Sequence, residues 1–478
     1  MSGARAGATP VPPELPGVAE PAGLPAPPAV AGAAVAGAAE PPGVAEPPDG
    51  RALWRGRDFP LFLAGQTLAA LGNSFSLIAV PLLVLHATGS IAQMGLLTGL
   101  AGGASVVAGV FAGFLVDRVD RKRLLIGCDL ARAVGYALIP LVWLWSPQVW
   151  LLYLVAPAGA AVGMLFQVGY VSAVPALVDH AQITRANGHL YASYAAAGIA
   201  GPLLAGALSA TIGPTAAVAV NAGTFVCSAL GLRLVRFRAR AVGPVEPDHR
   251  VGPGAATPPD AEPGDTAGGT ARWSDLLVGA RFLWRHPVLR ALTVALSFLT
   301  FLTIGLTDIF IYHVKHDLGR SDAAVGYVFA AAAGGTIVAA LLVAPVRRRL
   351  GFGICWIGAF ALAGLAVAGV GLTGNVPALA ALVTGYTFCT ATAGICSVSL
   401  RQQVTPEPLL GRVTSAFWTL HSALGPLGAA VLTAAVARYG TTPVCLVAGL
   451  LCLGIAAAAT LTPIRQPRPE LVAVQGEG

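Results

Sequence analysis

The sequence predicts an all-α membrane protein whose twelve transmembrane helices form two pseudo-symmetric six-helix bundles. Three observations predict it. Charged residues make up only 11% of the 478 residues and mean hydropathy is +0.73, whereas a soluble globular protein carries roughly 25% charge. Twelve apolar stretches, each close to the ~20 residues that one crossing needs, fall into two sets of six parted by a Pro- and Gly-rich segment. Residue patterns of the first set return, in the same direction, in the second.

The elements follow in order. Residues 1–50 are Ala, Pro, Gly and Val with scattered Glu and no aromatic side chain. Recurrent Pro opposes helix and nothing anchors a core, so a disordered cytoplasmic tail is expected; a basic start with a continuous apolar run, the mark of a signal peptide, is missing. The first six apolar segments lie at about 58–86, 91–116, 122–145, 149–172, 186–211 and 214–236, within an N-terminal bundle at 51–240. Turn chemistry separates them at His86-Ala-Thr-Gly-Ser90, Ser146-Pro147 and Gly213-Pro214. Residues 241–271 repeat the tail's composition and open a cytoplasmic linker, 241–289. Its end, 273–289, places Leu276, Leu277, Ala280, Leu283 and Trp284 on one helical face and Asp275, Arg281 and Arg285 elsewhere. Such a segment lies on the inner membrane surface, the alternative being an early start of the seventh span, interrupted by Pro287. The second six segments lie at about 290–314, 323–345, 352–373, 376–399, 411–437 and 441–462, in a C-terminal bundle at 290–465 followed by a short cytoplasmic tail, 466–478.

Lys and Arg collect on the cytoplasmic side of membrane proteins. With both termini cytoplasmic, all 29 except Lys315, Arg320 and Arg438 lie on that side. An odd number of crossings or the opposite orientation would destroy this asymmetry. The net charge of +7 is then a consequence of topology, and no nucleic-acid partner is expected. Lysine occurs only as Lys122 and Lys315, neither in the spacing of a phosphate-binding loop, which excludes ATP hydrolysis by this chain. The seven Cys sit in apolar segments without a C-x-x-C pair and read as small hydrophobes. No metal or cofactor is expected, and the Asp-rich, H-E-x-x-H and Ser/His clusters of intramembrane enzymes are missing, so the chain is not read as an enzyme.

Repetition is the most informative pattern. Small residues four apart mark the second segment at Gly95, Gly99 and Gly103 and the eighth at Gly326, Ala330 and Gly334. Gly201-Pro202 in the fifth segment returns as Gly425-Pro426 in the eleventh, and the basic end of the second, 115–123, returns as 342–349. Small residues at this spacing let helices approach closely.

Gly113-Phe-Leu-Val-Asp117-Arg118-Val-Asp-Arg121-Lys122-Arg123 resembles the signature loop G-x-L-x-D-R-x-G-R-K/R of the major facilitator superfamily, with Asp120 where Gly is usual. Gly198-Ile-Ala-Gly201-Pro202-Leu-Leu-Ala-Gly206 resembles the fifth-helix motif of its exporters, with Ala205 for one glycine. The resemblance covers about 51–465. Ala64-Gly-Gln66-Thr-Leu-Ala-Ala-Leu-Gly72, Asp129-Leu-Ala-Arg132, Arg281-Phe-Leu-Trp-Arg-His286-Pro287 and Leu410-Gly411-Arg412-Val413 look most like the bacterial macrolide-efflux and enterobactin-exporter-like branch. It implies a secondary transporter of the bacterial cell membrane, working by alternating access as a single chain without a cofactor. The expected cargo is a small hydrophobic or amphiphilic molecule (antibiotic, siderophore or other metabolite), exported against protons; an importer or facilitator of the same fold is the alternative, with a non-transport membrane scaffold behind it. Two departures stand out: the fourth segment offers Gln167 where drug:proton antiporters carry an arginine, and the first has Asn73 where an acid is common.

Gating candidates are Gly113, Asp117, Arg118, Arg121, Asp129, Arg132 and the pairs Gly201-Pro202 and Gly425-Pro426. By the resemblance, Asp117 faces the start of the eleventh segment near Gly411 to Val413, where free N–H groups favour an anion. Arg118 or Arg121 is expected to pair with Asp129, near the inner edge; the alternative is that these arginines only enforce topology. Candidates for substrate or proton are Gln66, Asn73, Gln167, Asp308 and Tyr312. The first, fourth and seventh helices line the cavity in the superfamily, although each of these amides also reads as an interhelical hydrogen bond. Asp308 is the carboxylate deepest in a span, with Tyr312 one turn on as a partner. Its other reading is a structural acid paired with Lys315.

Overall fold

The computed structural model describes residues 52–173, 177–178, 182–236, 273–406 and 409–471. The 1–50 tail, the 241–271 linker and residues 472–478 lie outside them. Among the described residues there is no strand. After a one-turn helix at Ala52–Arg55, the first bundle comprises α1 (Asp58–Thr88), α2 (Ile91–Arg118), α3 (Arg121–Trp143), α4 (Val149–Ala173), α5 (Ile183–Ile212) and α6 (Pro214–Leu234). The second comprises α7 (Pro287–Asp317), α8 (322–350), α9 (352–372), α10 (Val376–Val404), α11 (Leu410–Tyr439) and α12 (Thr441–Ala459).

Sequence chemistry places the breaks. Gly89 ends α1 at φ 65°, and the Ser90 hydroxyl caps α2 by accepting from Gln93 N. Pro214 begins α6 behind Gly213, and Asn375 caps α10 through Ala378 N. α8 and α9 form one helical trace interrupted at Gly351, whose φ of 79° suits glycine. Among the described residues, eleven continuous apolar helices, one of them bent at Gly351 into two, are long enough for twelve crossings. Two spans are internally broken: α7 stops at Thr303 and restarts at Leu306, and α11 stops at Ser422 and restarts at Gly425.

Trp273–Arg285 is a helix of its own, not an early α7. His286 separates the two, with Pro287 opening α7 and Leu289 N donating to His286 Nδ1 at 3.4 Å. Burial holds this imidazole below its ordinary pKa, which suits an accepting nitrogen. The Gly279 of the linker helix lies on the start of α11, where an added Cβ would stand 2.6 Å from Arg412 C and 3.0 Å from Val413 N.

The two bundles meet through α2 with α11 and α5 with α8. Gly99 faces the Pro426 carbonyl, 2.7 Å from where its Cβ would lie, and Gly95 presses on Thr433. In the mirror crossing an added Cβ on Gly326 would lie 2.5 Å from the Pro202 carbonyl oxygen, and one on Gly206 would lie 2.8 Å from Gly326 Cα. Gly99 and Gly326 are thus structural equivalents, one helical turn away from the register that pairs Gly95 with Gly326. Farther along the same faces, toward the side of the chain's termini, Gly103 and Gly334 have nothing within 4 Å of a Cβ. Val107, Phe111, Tyr191 and Leu341 are exposed there. The bundles are joined on the side of the α1–α2 and α7–α8 connections and parted on the other.

Candidate functional site

The closed seam carries the charged groups. α7 breaks where Gly305 lies against α11, an added Cβ standing 2.9 Å from Ala429 Cα, and the restart puts Asp308 in a first helical turn. Asp308 is 1% exposed and lies beside Thr98 of α2, in the opposite bundle, while its Oδ2 has no hydrogen-bond partner. The two supports read from sequence are both corrected. Tyr312 stacks on His316, with ring centres 4.6 Å apart, and Lys315 pairs with Asp322 at 2.6 Å. Local spacing favours a partner one turn away, but the break in α7 turns Asp308 toward α2.

Asp322, at the start of α8, is the second seam acid. Its carboxylate also accepts from Ser209 of α5 at 2.5 Å and lies 3.2 Å from His86 Nε2 at the end of α1. Lys315 belongs to its own bundle; Ser209 and His86 belong to the other. One carboxylate therefore ties the two bundles together at their closed end.

Inside the first bundle, Asp129 is fully buried and paired by Arg132 of its own helix. Arg132 Nη2 donates to it at 2.5 Å and Ser228 at 2.7 Å. Arg132 Nη1 donates to Asn73 at 3.0 Å, and the guanidinium lies 4.2 Å from the Phe225 ring centre and 4.8 Å from that of Phe166. The cluster ties α1, α3, α4 and α6 together; Asn73, the residue where an acid is common, serves the arginine. Gln66, seven positions before Asn73, is fully buried and neither amide atom has a partner, whereas Gln167 is exposed.

The Gly-Pro pairs have one geometry in both bundles. Gly201 packs on Ser74 of α1 while the Pro202 carbonyl meets Gly326 across the seam. Gly425 packs on Ile304 of α7, at 2.9 Å from an added Cβ, while the Pro426 carbonyl meets Gly99. In the signature loop, Asp120 caps α3 by accepting from Arg123 N at 2.9 Å, which accounts for an acid in the place of Gly. Lys122 donates to the carbonyls of Arg233 and Val235, pinning the loop to the end of α6. Gly113 and Asp117 lie in the helical part of α2, but their side-chain environment lies outside the described residues. Arg118 is exposed and Arg121 half-buried, both at the loop.

A family model described as Major Facilitator Superfamily matches residues 62–429. The chain belongs to this superfamily. It is a multi-pass membrane transporter of the facilitator type. It is 25% identical over 375 residues to the multidrug efflux pump Tap of Mycolicibacterium fortuitum, covering 77% of this chain and 86% of that one. It is 26% identical over 415 residues to the enterobactin exporter EntS of Escherichia coli, covering 82% and 88%. Among solved structures, the nucleoside transporter NupG superposes with a TM-score of 0.64 at 14% identity, over 84% of this chain and 98% of that one. A bacterial homolog of the human lysosomal transporter Spinster, inward-facing and unoccupied, gives 0.65 at 16%, over 87% and 98%.

Measured against this facilitator fold, sequence reasoning missed three groups. Asp322 fell one residue outside the eighth segment; the signal was available in Lys315 and His86, basic groups at the sparsely charged ends of the spans. Ser209 and Ser228 carried no signal, since single serines are common in spans. Arg401 falls just past the 376–399 segment expected from sequence, yet α10 runs on to Val404 and buries it to 3% exposure. Its guanidinium lies 3.7 Å from the Phe417 ring centre, and no carboxylate among the described residues is within ion-pair distance.

Proposed function

We propose that this transporter exports a small hydrophobic or amphiphilic molecule across a bacterial cell membrane by alternating access, coupled to proton entry, as a single chain with both termini cytoplasmic. The arrangement in hand is then the inward-facing one: closed outside, open to the cytoplasm. The relatives named as a multidrug efflux pump and an enterobactin exporter favour export, and the outer poverty in Lys and Arg favours this orientation. The observation that carries the coupling is Asp308, buried at the seam against a hydroxyl of the other bundle and without a cation beside it.

Outward opening must separate α2 from α11 and α5 from α8. That breaks the Asp308–Thr98 contact and detaches Asp322 from Ser209 and His86. Asp308 then meets outside water and can exchange a proton; burying a charge without a partner is costly, so the seam recloses more readily once the group is neutral. Substrate leaves while the outer side is open, reclosure returns the cavity to the cytoplasm, and coupling to proton entry then requires Asp308 to release its proton toward that cavity before the next opening. Differential contacts of this kind are what shift a two-state equilibrium.

The test has two arms. Cells with and without the protein are loaded with labelled macrolides, siderophores and amphiphilic cations, at an intact and at a collapsed pH gradient. Protein-dependent expulsion of at least one class, lost on collapse, is expected; expulsion indifferent to the gradient would remove the proton. In vesicles, Asp308→Asn should abolish accumulation driven by an imposed pH gradient and keep downhill exchange of the same compound. An Asn variant that still concentrates substrate would make Asp308 structural.

A further inference from the structure

A hollow of about 690 Å³ opens at the terminus-side ends of α8 and α10, far from the seam. Its rim brings together Arg347, Arg348 and Arg349 from the end of α8 and Arg468 from the C-terminal segment. Its floor includes Val343 and Ile395, one to two turns deeper in the spans. The hollow thus runs from a cationic mouth into the apolar layer.

Its walls are built. Phe352 N donates to Pro467 O at 2.9 Å and Gly353 N to Gln466 O at 3.2 Å, so the segment carrying Arg468 is strapped to the start of α9. Gly351 makes room, since an added Cβ would stand 2.9 Å from Pro467 Cα. Arg347 Nη2 donates to Gln403 Oε1 at 2.9 Å, and its guanidinium lies 5.5 Å from the Phe352 ring centre, which fixes its plane. One acid shares the hollow: Glu470 Oε2 is 4.0 Å from Arg347 Nη2 and has no hydrogen-bond partner. Four guanidinium groups against one carboxylate leave a concentrated positive charge that repels itself unless an anion enters. Guanidinium groups match phosphate oxygens in geometry and charge.

We propose that this hollow binds the phosphodiester headgroup of an anionic membrane lipid. The four arginines hold the phosphate, and Val343 and Ile395 meet the upper part of the acyl chains. The apolar floor favours a lipid over free phosphate, which has no use for it, and basic hollows at this depth are where lipid headgroups are recognised.

The experiment uses the full-length protein in mixed micelles, with thermal unfolding read against added phosphatidylglycerol, phosphatidylcholine or inorganic phosphate. Phosphatidylglycerol should raise the unfolding temperature in a saturable way, and the other two should not. The double variant Arg348→Gln with Arg349→Gln removes exposed side chains and should unfold no earlier than the wild type without lipid. It should need about 25-fold more phosphatidylglycerol for the same shift, at roughly fivefold per arginine. Arg320→Gln, at the other end of the molecule, should respond as wild type. An unchanged response in the double variant, or equal stabilisation by phosphatidylcholine, would overturn the site. A full shift with inorganic phosphate alone would overturn the lipid.

Discussion

Gly326→Ala tests the seam with one methyl group. The Cβ would lie 2.5 Å from the Pro202 carbonyl oxygen and 3.1 Å from Gly206 Cα, where ordinary contact begins at 3.4 Å. Both neighbours are backbone, so no side chain can swing aside; α5 and α8 must part by roughly 1 Å, at the ~1–3 kcal/mol typical of overpacking. The strain exists only while the seam is closed. At ~1.4 kcal/mol per decade, it shifts the closed-to-open ratio by about fivefold to 150-fold toward the outward-open form. The Ser209–Asp322 bond, on the same two helices, loosens with it. The assay is pulsed electron paramagnetic resonance between labels at Gln148 and Gly374, on the α3–α4 and α9–α10 connections at the closed end. A Cys227→Ser background serves, because the other six cysteines are buried. The variant should gain a longer-distance population and transport more slowly. Gly334→Ala, on the same face with nothing within 4 Å, should match wild type. A wild-type distance distribution for Gly326→Ala, or an equal change for Gly334→Ala, would refute the reasoning.

The other expectations rest on separate contacts. Asp322→Asn keeps shape but weakens charge-assisted bonds worth ~1.5–3 kcal/mol each; the same label pair should report partial opening, and Ser209→Ala should add little on top of it. Gly201→Val and Gly425→Val should both abolish transport at normal membrane yield, since each glycine already touches the neighbouring helix of its own bundle; a silent variant at either place would break the symmetry of mechanism. Arg132→Ala leaves the buried Asp129 with only Ser228, and losing one member of a buried pair costs ~3–5 kcal/mol. Low yield and a lowered unfolding temperature are expected, partly restored in Arg132→Met with Asp129→Asn. A fully stable single alanine variant would contradict the pairing.

Much of this architecture was legible because its causes are local. Each crossing is announced by its own apolar window, and each break by the Gly, Pro, Ser or Asn beside it, as at Gly89-Ser90 and Gly213-Pro214. The repeated Gly-Pro pairs carried the symmetry of the bundles. The register did not follow: small residues at every fourth position look alike under a shift of one turn, so Gly95 and Gly99 were interchangeable partners for Gly326 until the helices were seen to touch.

The number of crossings and their division into two sets belong to the sequence itself, because transfer of a ~20-residue segment into lipid sums contributions along the chain. The pairing of the buried charges belongs to the tertiary structure. Asp129 is matched by residues of α3 and α6, Asp308 by Thr98 of the other bundle, Asp322 by groups from α1, α5 and α7, and Arg401 lies on an aromatic ring. Such partners are chosen by the rotation of each helix about its axis and by breaks such as that at Gly305. Hydropathy is blind to both, and so it could not say which end of the seam is closed.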